Sequence, residues 1–257
     1  MTKVALVQLD VSDAESVTDR IARTAGMVES IVDADLIVLP ELWHVGAFDL
    51  KNAKAHAEPF DGPLVARMRE AAIKANTTLH MGSFAELVGD KRHNTAVLID
   101  PAGDILATYR KIHLFGWEEG EPSVMTAGES CVVLPTPLGA TGLATCYDLR
   151  FPEMFRRLVD SGAETFLLDS GWPSPRINHW TVLAQARAIE NQAWMIACNS
   201  AGTHAGVEMG GSSIVVDPRG NVVAQAGVSE EILIVDIDVD VARTWRRQFP
   251  VLADRVL

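Results

Sequence analysis

The sequence lacks the features that mark disulfide-rich, metal-binding and membrane-spanning proteins. Its 257 residues include three cysteines, Cys131, Cys146 and Cys198. An odd number cannot close a complete disulfide framework, and the spacing fits no zinc motif. No segment approaches the ~18 consecutive apolar residues that a membrane-spanning helix needs. The apolar run from Val4 to Leu9 is too short for a secretory signal, so we expect a cytoplasmic protein.

Positive charge is also scarce. The chain has 22 lysines and arginines against 34 aspartates and glutamates, which gives a formal net charge of −12. Nucleic acids and anionic membrane surfaces attract basic proteins, so this balance argues against both as partners. The sequence contains neither a GxGxxG motif nor a P-loop, so nothing supports a nucleotide cofactor. We therefore expect a protein that binds a small molecule and uses no cofactor or metal.

Segments with the periodicity of strands and of helices alternate along the chain, which is typical of an α/β fold. Residues 3–9 have the pattern of a first strand. Ser12 and Glu15 form a capping-box pattern ahead of apolar residues at helical spacing in residues 17–31. Leu36 to Leu39 predicts a buried strand. Because no linker, repeat or low-complexity segment interrupts the chain, we expect one domain over residues 1–257.

Three chemically distinctive side chains stand at the ends of predicted strands. Glu41 follows Leu36–Leu39, Lys111 ends a strand from Ile105, and Cys146 comes between an apolar segment and a predicted helix. Strand ends of an α/β sheet meet at one rim, where sites form. A helix N-terminus lowers the pKa of a nearby thiol. A carboxylate base, a thiol nucleophile and an ammonium that stabilises an oxyanion would together make a hydrolase.

In these residues and their neighbours the chain resembles the nitrilase (carbon-nitrogen hydrolase) superfamily. The Glu-Lys-Cys triad of that family matches Glu41, Lys111 and Cys146 in order and in local sequence. Further matching segments are Val4–Gln8, Asn94–Asp100, Thr145–Glu153, Arg187–Asn191, Asp217–Gly220 and Val235–Asp238. The resemblance implies a single-domain, four-layer α-β-β-α sandwich. It also implies a homodimer or a higher homo-oligomer, with the dimer assembled through the helix after the cysteine.

The family often has a second glutamate between the lysine and the cysteine, and three glutamates compete for that position. Counting back from Ala127-Gly128, which resembles a Pro-Gly of the family, selects Glu121. Counting forward from Lys111 favours Glu118 or Glu119 instead. We choose Glu121 as the residue that positions the substrate.

Two further residues are predicted to face the substrate. Tyr147 follows the nucleophile, so its backbone N–H would donate to the oxyanion. Trp172 matches a position near the family's pocket, although a plain core aromatic explains it equally well. We assign structural roles to Arg150, in the turn or an interface, and to an ion pair of Arg187 with Glu190.

The resemblance predicts a cysteine-dependent amidase that converts a small aliphatic or ω-amide to the acid and ammonia through a thioester. Nitrile-hydrolysing members usually carry Cys-Trp-Glu at the nucleophile, whereas this chain has Cys146-Tyr147-Asp148. Hydrolysis of N-carbamoyl amino acids, nitrile hydrolysis and transfer of the acyl group to an amine remain alternatives. A binding module without activity is a further alternative, and the presence of all three triad residues argues against it.

Overall fold

The computed structural model of the protein describes residues 1–256. Its α-helices are α1 (Val17–Ser30), α2 (Leu50–Ala55), α3 (Pro63–Ala75), α4 (Pro152–Asp160), α5 (Ile177–Asn191) and α6 (Asp240–Gln248). Its strands are β1 (Thr2–Gln8), β2 (Leu36–Val38), β3 (Thr78–Val88), β4 (Lys91–Ile99), β5 (Ile105–Arg110), β6 (Val133–Thr136), β7 (Gly139–Thr145), β8 (Thr165–Ser170), β9 (Trp194–Asn199), β10 (Thr203–His204), β11 (Val207–Glu208), β12 (Ile214–Val216), β13 (Val222–Gln225) and β14 (Glu231–Ile237). Short 3₁₀ turns cover Glu121–Ser123, Cys146–Arg150, Ser174–Arg176 and Val251–Asp254.

Twelve of the strands form two six-stranded sheets of similar construction. The first has the order β14-β1-β2-β3-β4-β5, and the second has the order β13-β12-β9-β8-β7-β6. Three central strands are parallel in each sheet, β1, β2 and β3 in the first and β7, β8 and β9 in the second. Antiparallel strands flank them on both sides. The parallel strands bring their carboxyl ends to one edge of each sheet.

The side-chain alternation of the strands separates the layers. In β1, Val4 and Leu6 belong to the core that includes the second sheet, whereas Ala5 and Val7 pack with residues of α1 and α3. Successive side chains of a strand point to opposite faces, so each sheet buries both faces. Helices α4 and α5 pack on β7, β9 and β12 of the second sheet. The result is the predicted four-layer α-β-β-α sandwich, and that prediction is confirmed.

The start of the first helix differs from the prediction. Its N-cap is Ser16, whose hydroxyl accepts a hydrogen bond from the Asp19 N–H at 3.1 Å. The expected capping box of Ser12 and Glu15 lies outside the helix, where Glu15 pairs with Arg23 at 2.9 Å. Both serines fit the sequence rule for a cap, and the second of them caps the helix. None of the helices described in residues 1–256 is long and apolar enough to cross a membrane.

Candidate active site

Cys146 follows β7 directly and begins the 3₁₀ turn Cys146–Arg150. Its φ is +45°, a left-handed conformation that costs a non-glycine residue about 1–3 kcal/mol. Asp148 holds this turn, because its carboxylate accepts from the Thr145 N–H at 2.9 Å and from the Tyr109 hydroxyl at 2.6 Å. The strained turn therefore rests on a buried network that fixes the position of the thiol.

Glu41 lies beyond the carboxyl end of β2 and is 2% exposed. Its Oε2 accepts a hydrogen bond from the Gly171 N–H at 2.9 Å, just beyond β8 of the other sheet. The Pro40 carbonyl packs against Gly82, where an added Cβ would lie 1.9 Å from the carbonyl oxygen. Gly82 also has a φ of +68°, so only glycine permits this close approach of β3 to the segment that carries Glu41.

Lys111 follows β5 and is 1% exposed. Its Nζ donates to Glu41 Oε1 and to Glu121 Oε2, both at 2.7 Å. A buried ammonium is tolerated only when charged or polar partners replace its lost hydration. Two carboxylates from distant parts of the chain supply that replacement here.

Of the three glutamates that the sequence left in competition, Glu121 is the one that reaches the buried cluster. It is 4% exposed, and its Oε2 accepts from the Phe115 N–H at 2.5 Å in addition to Lys111. Glu118 and Glu119 are exposed. The loop between Lys111 and Glu121 closes through a backbone hydrogen bond from Glu121 N to Phe115 O at 2.9 Å.

Asn94 of β4 is a member of the cluster that the sequence reasoning missed. Its Nδ2 donates to Glu41 Oε1 at 2.8 Å and to Glu121 Oε1 at 2.9 Å. Asn94 and Lys111 each contact both carboxylates, so together they hold Glu41 and Glu121 side by side. The only sequence signal is its position at the start of the matching segment Asn94–Asp100, which has the pattern of a strand.

With the geometry in place, the chain can be compared with known proteins. Residues 3–247 match the family model described as carbon-nitrogen hydrolase. The chain belongs to this family. A 2-oxoglutaramate amidase from Paenarthrobacter nicotinovorans is 40% identical over 260 residues, which cover 98% of this chain and 88% of the relative.

Two solved structures of this superfamily superpose on the chain. The crystal structure of Saccharomyces cerevisiae Nit3, a member of branch 10 of the nitrilase superfamily, has a TM-score of 0.89 at 30% identity and covers 100% of this chain and 97% of its own. A glutamate-to-glutamine mutant of an amidase from Nesterenkonia sp. AN1 has a TM-score of 0.84 at 26% identity and covers 97% and 98%. That structure shows the result of Michael addition of acrylamide at the active-site cysteine. The predicted family membership is confirmed.

The charges of Lys111, Glu41 and Glu121 depend on one another. Burial disfavours the charged form of Lys111, but the carboxylates of Glu121 and Glu41 outweigh burial and raise the pKa of the ammonium well above its ordinary value. Burial raises the pKa of Glu121, Lys111 opposes that rise, and the charge of Glu41 adds to it. The lysine therefore stays charged throughout the neutral range.

The thiol differs from the sequence expectation. A helix N-terminus was expected to lower the pKa of Cys146, but burial raises it well above the ordinary value, and the charge of Glu41 raises it further. Lys111 opposes both effects without cancelling them. The element that follows Cys146 is a five-residue 3₁₀ turn, shorter than the predicted helix, so its dipole is small. In the resting hydrolase the proton therefore stays on sulfur.

A pocket opens onto these residues. Its empty space measures about 370 Å³, a figure that includes space open to solvent. Its lining residues are Glu41, Ala47, Phe48, Lys111, Phe115, Glu121, Cys146, Tyr147, Arg150, Gly171, Trp172, Pro173 and Arg176. All six site residues named from the sequence thus line one pocket.

The walls of the pocket are fixed by aromatic packing. Tyr147 meets Phe115 edge-on with ring centroids 5.2 Å apart. Trp172 is 2% exposed, and its Nε1 donates to the Arg176 carbonyl at 2.8 Å. Trp172 is therefore both a buried aromatic and a pocket wall, which joins its two sequence interpretations. Arg150 also lines the pocket, whereas the sequence reasoning had given it a structural role.

Asp169 of β8 and His80 of β3 form a second buried polar group, between the two sheets. Both side chains are completely buried, and the closest approach of His80 Nε2 to Asp169 Oδ1 is 4.0 Å. Asp169 Oδ1 accepts from the Thr145 hydroxyl at 2.9 Å. Burial and the charge of Glu41 raise the pKa of Asp169 from 3.8 to about 8. Burial lowers the pKa of His80 to about 4. Both groups are therefore neutral at pH 7.

Replacing Asp169 with asparagine should remove a pH-dependent loss of stability. Between pH 4 and 8 folded Asp169 keeps a proton that the unfolded chain releases, so its contribution to stability falls as the pH rises. Each pKa unit corresponds to about 1.4 kcal/mol, so the variant should gain on the order of 4 kcal/mol over the wild type between pH 5 and pH 8. Urea unfolding at both pH values measures the difference. Asp254→Asn, at an exposed position, serves as the control, and parallel curves for Asp169→Asn and wild type would contradict the assignment.

Proposed function

We propose that the protein is a cysteine-dependent amidase that converts a small aliphatic or ω-amide to its acid and ammonia through a thioester. The observation that carries the proposal is the ammonium of Lys111, held 2.7 Å from each of two buried carboxylates at the wall of the pocket that also contains Cys146. A binding module has no need to bury three ionisable groups beside a thiol, because each buried charge costs stability.

In the proposed first step, Glu41 accepts the proton of the Cys146 thiol as the sulfur attacks the amide carbon. The raised pKa of the thiol favours transfer during the attack over a preformed thiolate. A carbon–sulfur bond forms, and the carbonyl oxygen becomes an oxyanion. The Lys111 ammonium and the Tyr147 backbone N–H stabilise that charge.

In the second half of the reaction the carbon–nitrogen bond breaks. Glu41 returns its proton to the departing nitrogen, ammonia leaves, and a thioester remains on Cys146. Glu41 then takes a proton from water, whose oxygen attacks the thioester carbon. The carbon–sulfur bond breaks, the thiol regains its proton, and the acid is released. Glu121 orients the amide nitrogen and the incoming water, and Lys111 and the Phe115 N–H hold that carboxylate in place.

The substrate class follows from the pocket and from the relatives. The space around Cys146 is small, which suits a small compound. The relative from Paenarthrobacter nicotinovorans carries the name 2-oxoglutaramate amidase. A small ω-amide fits both observations. Tyr147 after the nucleophile favours amides over nitriles, by resemblance to the amide-hydrolysing members.

A panel of small compounds tests the proposal. Ammonia release is measured from glutaramate, the methyl ester of glutaramate, butyramide, butyronitrile and an N-carbamoyl amino acid, each with and without hydroxylamine as acyl acceptor. We expect turnover of the primary amides and little of the nitrile or the carbamoyl compound. Hydroxamate formed with the acceptor, but no acid formed without it, would identify the acyl-transfer alternative, and preference for the carbamoyl compound would replace the amidase proposal.

We further propose a single carbon-nitrogen hydrolase domain over residues 1–257 that acts as a cytoplasmic homodimer. The helices that follow Cys146 support the assembly, because α5 leaves Val182 64% exposed and Ile189 53% exposed. Val182 and Ile189 are seven residues apart and so lie on the same face of α5, and apolar patches that are contiguous mark surfaces that a partner covers. Sedimentation at several protein concentrations measures the oligomeric state.

A further inference from the structure

We propose that the hydroxyl of Ser170 donates a hydrogen bond to the sulfur of Cys146 as the sulfur loses its proton, and again when the carbon–sulfur bond of the thioester breaks. The inference rests on the proposed role of Cys146 as the nucleophile. It gives a catalytic role to a buried serine that lies outside the Glu-Lys-Cys triad.

Ser170 and Cys146 are neighbours at the carboxyl edge of the second sheet. Ser170 is the last residue of β8, and Cys146 directly follows β7. The two strands are parallel and pair Thr145 with Asp169, so the next residue of one strand lies beside the next residue of the other. The fold therefore places a hydroxyl next to the thiol.

The hydroxyl of Ser170 is unpaired in the resting protein. Its oxygen has no hydrogen-bond partner among residues 1–256, although the side chain is completely buried. An unpaired buried polar group costs stability, and alanine would fill the same space without that cost. A donor held in place for a charge that develops only during the reaction would explain why the hydroxyl is there.

The surroundings of the Cys146 thiol show which atom the hydroxyl faces. Burial and the charge of Glu41 raise the pKa of the thiol, whereas the ammonium of Lys111 and hydrogen bonding by the Ser170 hydroxyl lower it. A donor lowers the pKa of a thiol because it stabilises the thiolate. Since Ser170 Oγ has no partner of normal geometry in the resting protein, the hydrogen bond must tighten as the sulfur becomes negative.

Ser170 contacts the sulfur from the interior of the protein. Cys146 and Gly171 line the pocket, but Ser170, between β8 and Gly171, does not. A substrate therefore approaches the sulfur from the pocket, and the hydroxyl lies on the other side. From that position Ser170 affects the chemistry at sulfur and leaves the binding of substrate unchanged.

The hydroxyl acts at two points of the proposed reaction. In the first, the thiol proton passes to Glu41 while a sulfur electron pair forms the bond to the amide carbon. In the second, water has attacked the thioester, the carbon–sulfur bond breaks, and the electron pair returns to sulfur until Glu41 gives back a proton. Ser170 keeps its own proton throughout and stabilises the negative sulfur at both points.

The test removes the hydroxyl from each of two buried serines. Ser170→Ala is compared with Ser200→Ala, because Ser200 is equally buried, also has an unpaired hydroxyl and follows the neighbouring strand β9. Both changes are made in a Cys131→Ala parent, in which the remaining cysteine besides Cys146 is the completely buried Cys198. Alkylation by iodoacetamide is measured against pH, and kcat and KM are measured with the best primary amide of the panel.

We expect the pH profile of alkylation to move to higher pH by about 0.5 to 1 unit in Ser170→Ala, since the thiolate loses a hydrogen bond. For the same reason kcat should fall about 3- to 10-fold, with KM unchanged. Ser200→Ala should match the parent in all three measurements. Neither variant should unfold at a lower temperature than the parent, because alanine removes an unpaired buried hydroxyl.

The alkylation measurement separates this inference from the proposed function, because it needs no turnover. A shift confined to Ser170→Ala would support the hydrogen bond even if the parent hydrolysed no amide, in which case only the amidase proposal fails. Amide turnover with the same alkylation profile in Ser170→Ala and the parent would keep the amidase and overturn the hydrogen bond. An equal shift in Ser200→Ala would also overturn it, since that serine does not face the sulfur.

Discussion

Replacement of Cys146 with alanine should abolish ammonia release from every amide in the panel. Without a sulfur nucleophile no thioester forms, and loss of a covalent nucleophile typically costs about 10⁴-fold or more in turnover. The substitution should leave the backbone conformation at position 146 unchanged, because alanine at a φ of +45° has the same conformational cost as cysteine. The turn itself is held by Asp148 and Tyr109, which the substitution leaves untouched.

The control for this loss is Cys131→Ala. Cys131 is only partly buried and does not line the pocket, so its removal should change turnover by less than about twofold. Thermal unfolding of both variants shows whether the fold is intact. Ammonia release by a folded Cys146→Ala protein at more than about one per cent of the wild-type rate would remove Cys146 from the role of nucleophile.

Much of the fold could be predicted from periodicity. Strand patterns with apolar residues on both faces, such as Val4 to Val7, indicate a sheet covered by helices on one side and by another layer on the other. Periodicity does not count sheets, and the four layers came from the resemblance. Short elements without a strong pattern, the helix Leu50–Ala55 and the hairpin of β10 and β11, were missed.

Several residues of the candidate active site could also be predicted from the sequence. Glu41, Lys111 and Cys146 each follow a strand, so the geometry of strand ends brings them together. Asn94 is different, because its contacts depend on what approaches it from other parts of the chain. Asn94 contacts glutamates 53 and 27 positions away, and no local pattern encodes such contacts.

The pKa of Cys146 could not be predicted from local sequence. The expectation that a helix end lowers the pKa of Cys146 was based on one favourable dipole alone. The structure adds burial and a carboxylate, both of which raise the pKa, against one ammonium that lowers it. The sign depends on which charges surround the sulfur, and those charges come from Glu41 and Lys111, each more than thirty residues away in the chain.

Glu41 is proposed to accept the proton of Cys146, and its charge raises the pKa of that thiol. Glu41→Gln should separate these two effects. Loss of the general base should lower amide turnover by about 10³-fold. The amide NH₂ of glutamine also cannot accept hydrogen bonds, so the side chain must give up either Gly171 or the pair of Lys111 and Asn94. Glu118→Gln provides the control. Glu118 is exposed, so its replacement should have a smaller effect on turnover.

In the same Glu41→Gln variant the Cys146 thiol should ionise more readily, although turnover falls. The negative charge of Glu41 raises the pKa of Cys146, and Lys111 lowers it, so removing the carboxylate leaves the ammonium less opposed and lowers the thiol pKa. In a Cys131→Ala background, the pH profile of alkylation by iodoacetamide should therefore move to lower pH in Glu41→Gln while turnover collapses. An unchanged alkylation profile would contradict the effect of the Glu41 charge on the thiol, and a carboxylate needed to form the thiolate in the resting enzyme would shift the profile to higher pH. The direction of that shift decides whether Glu41 receives the proton during attack or beforehand.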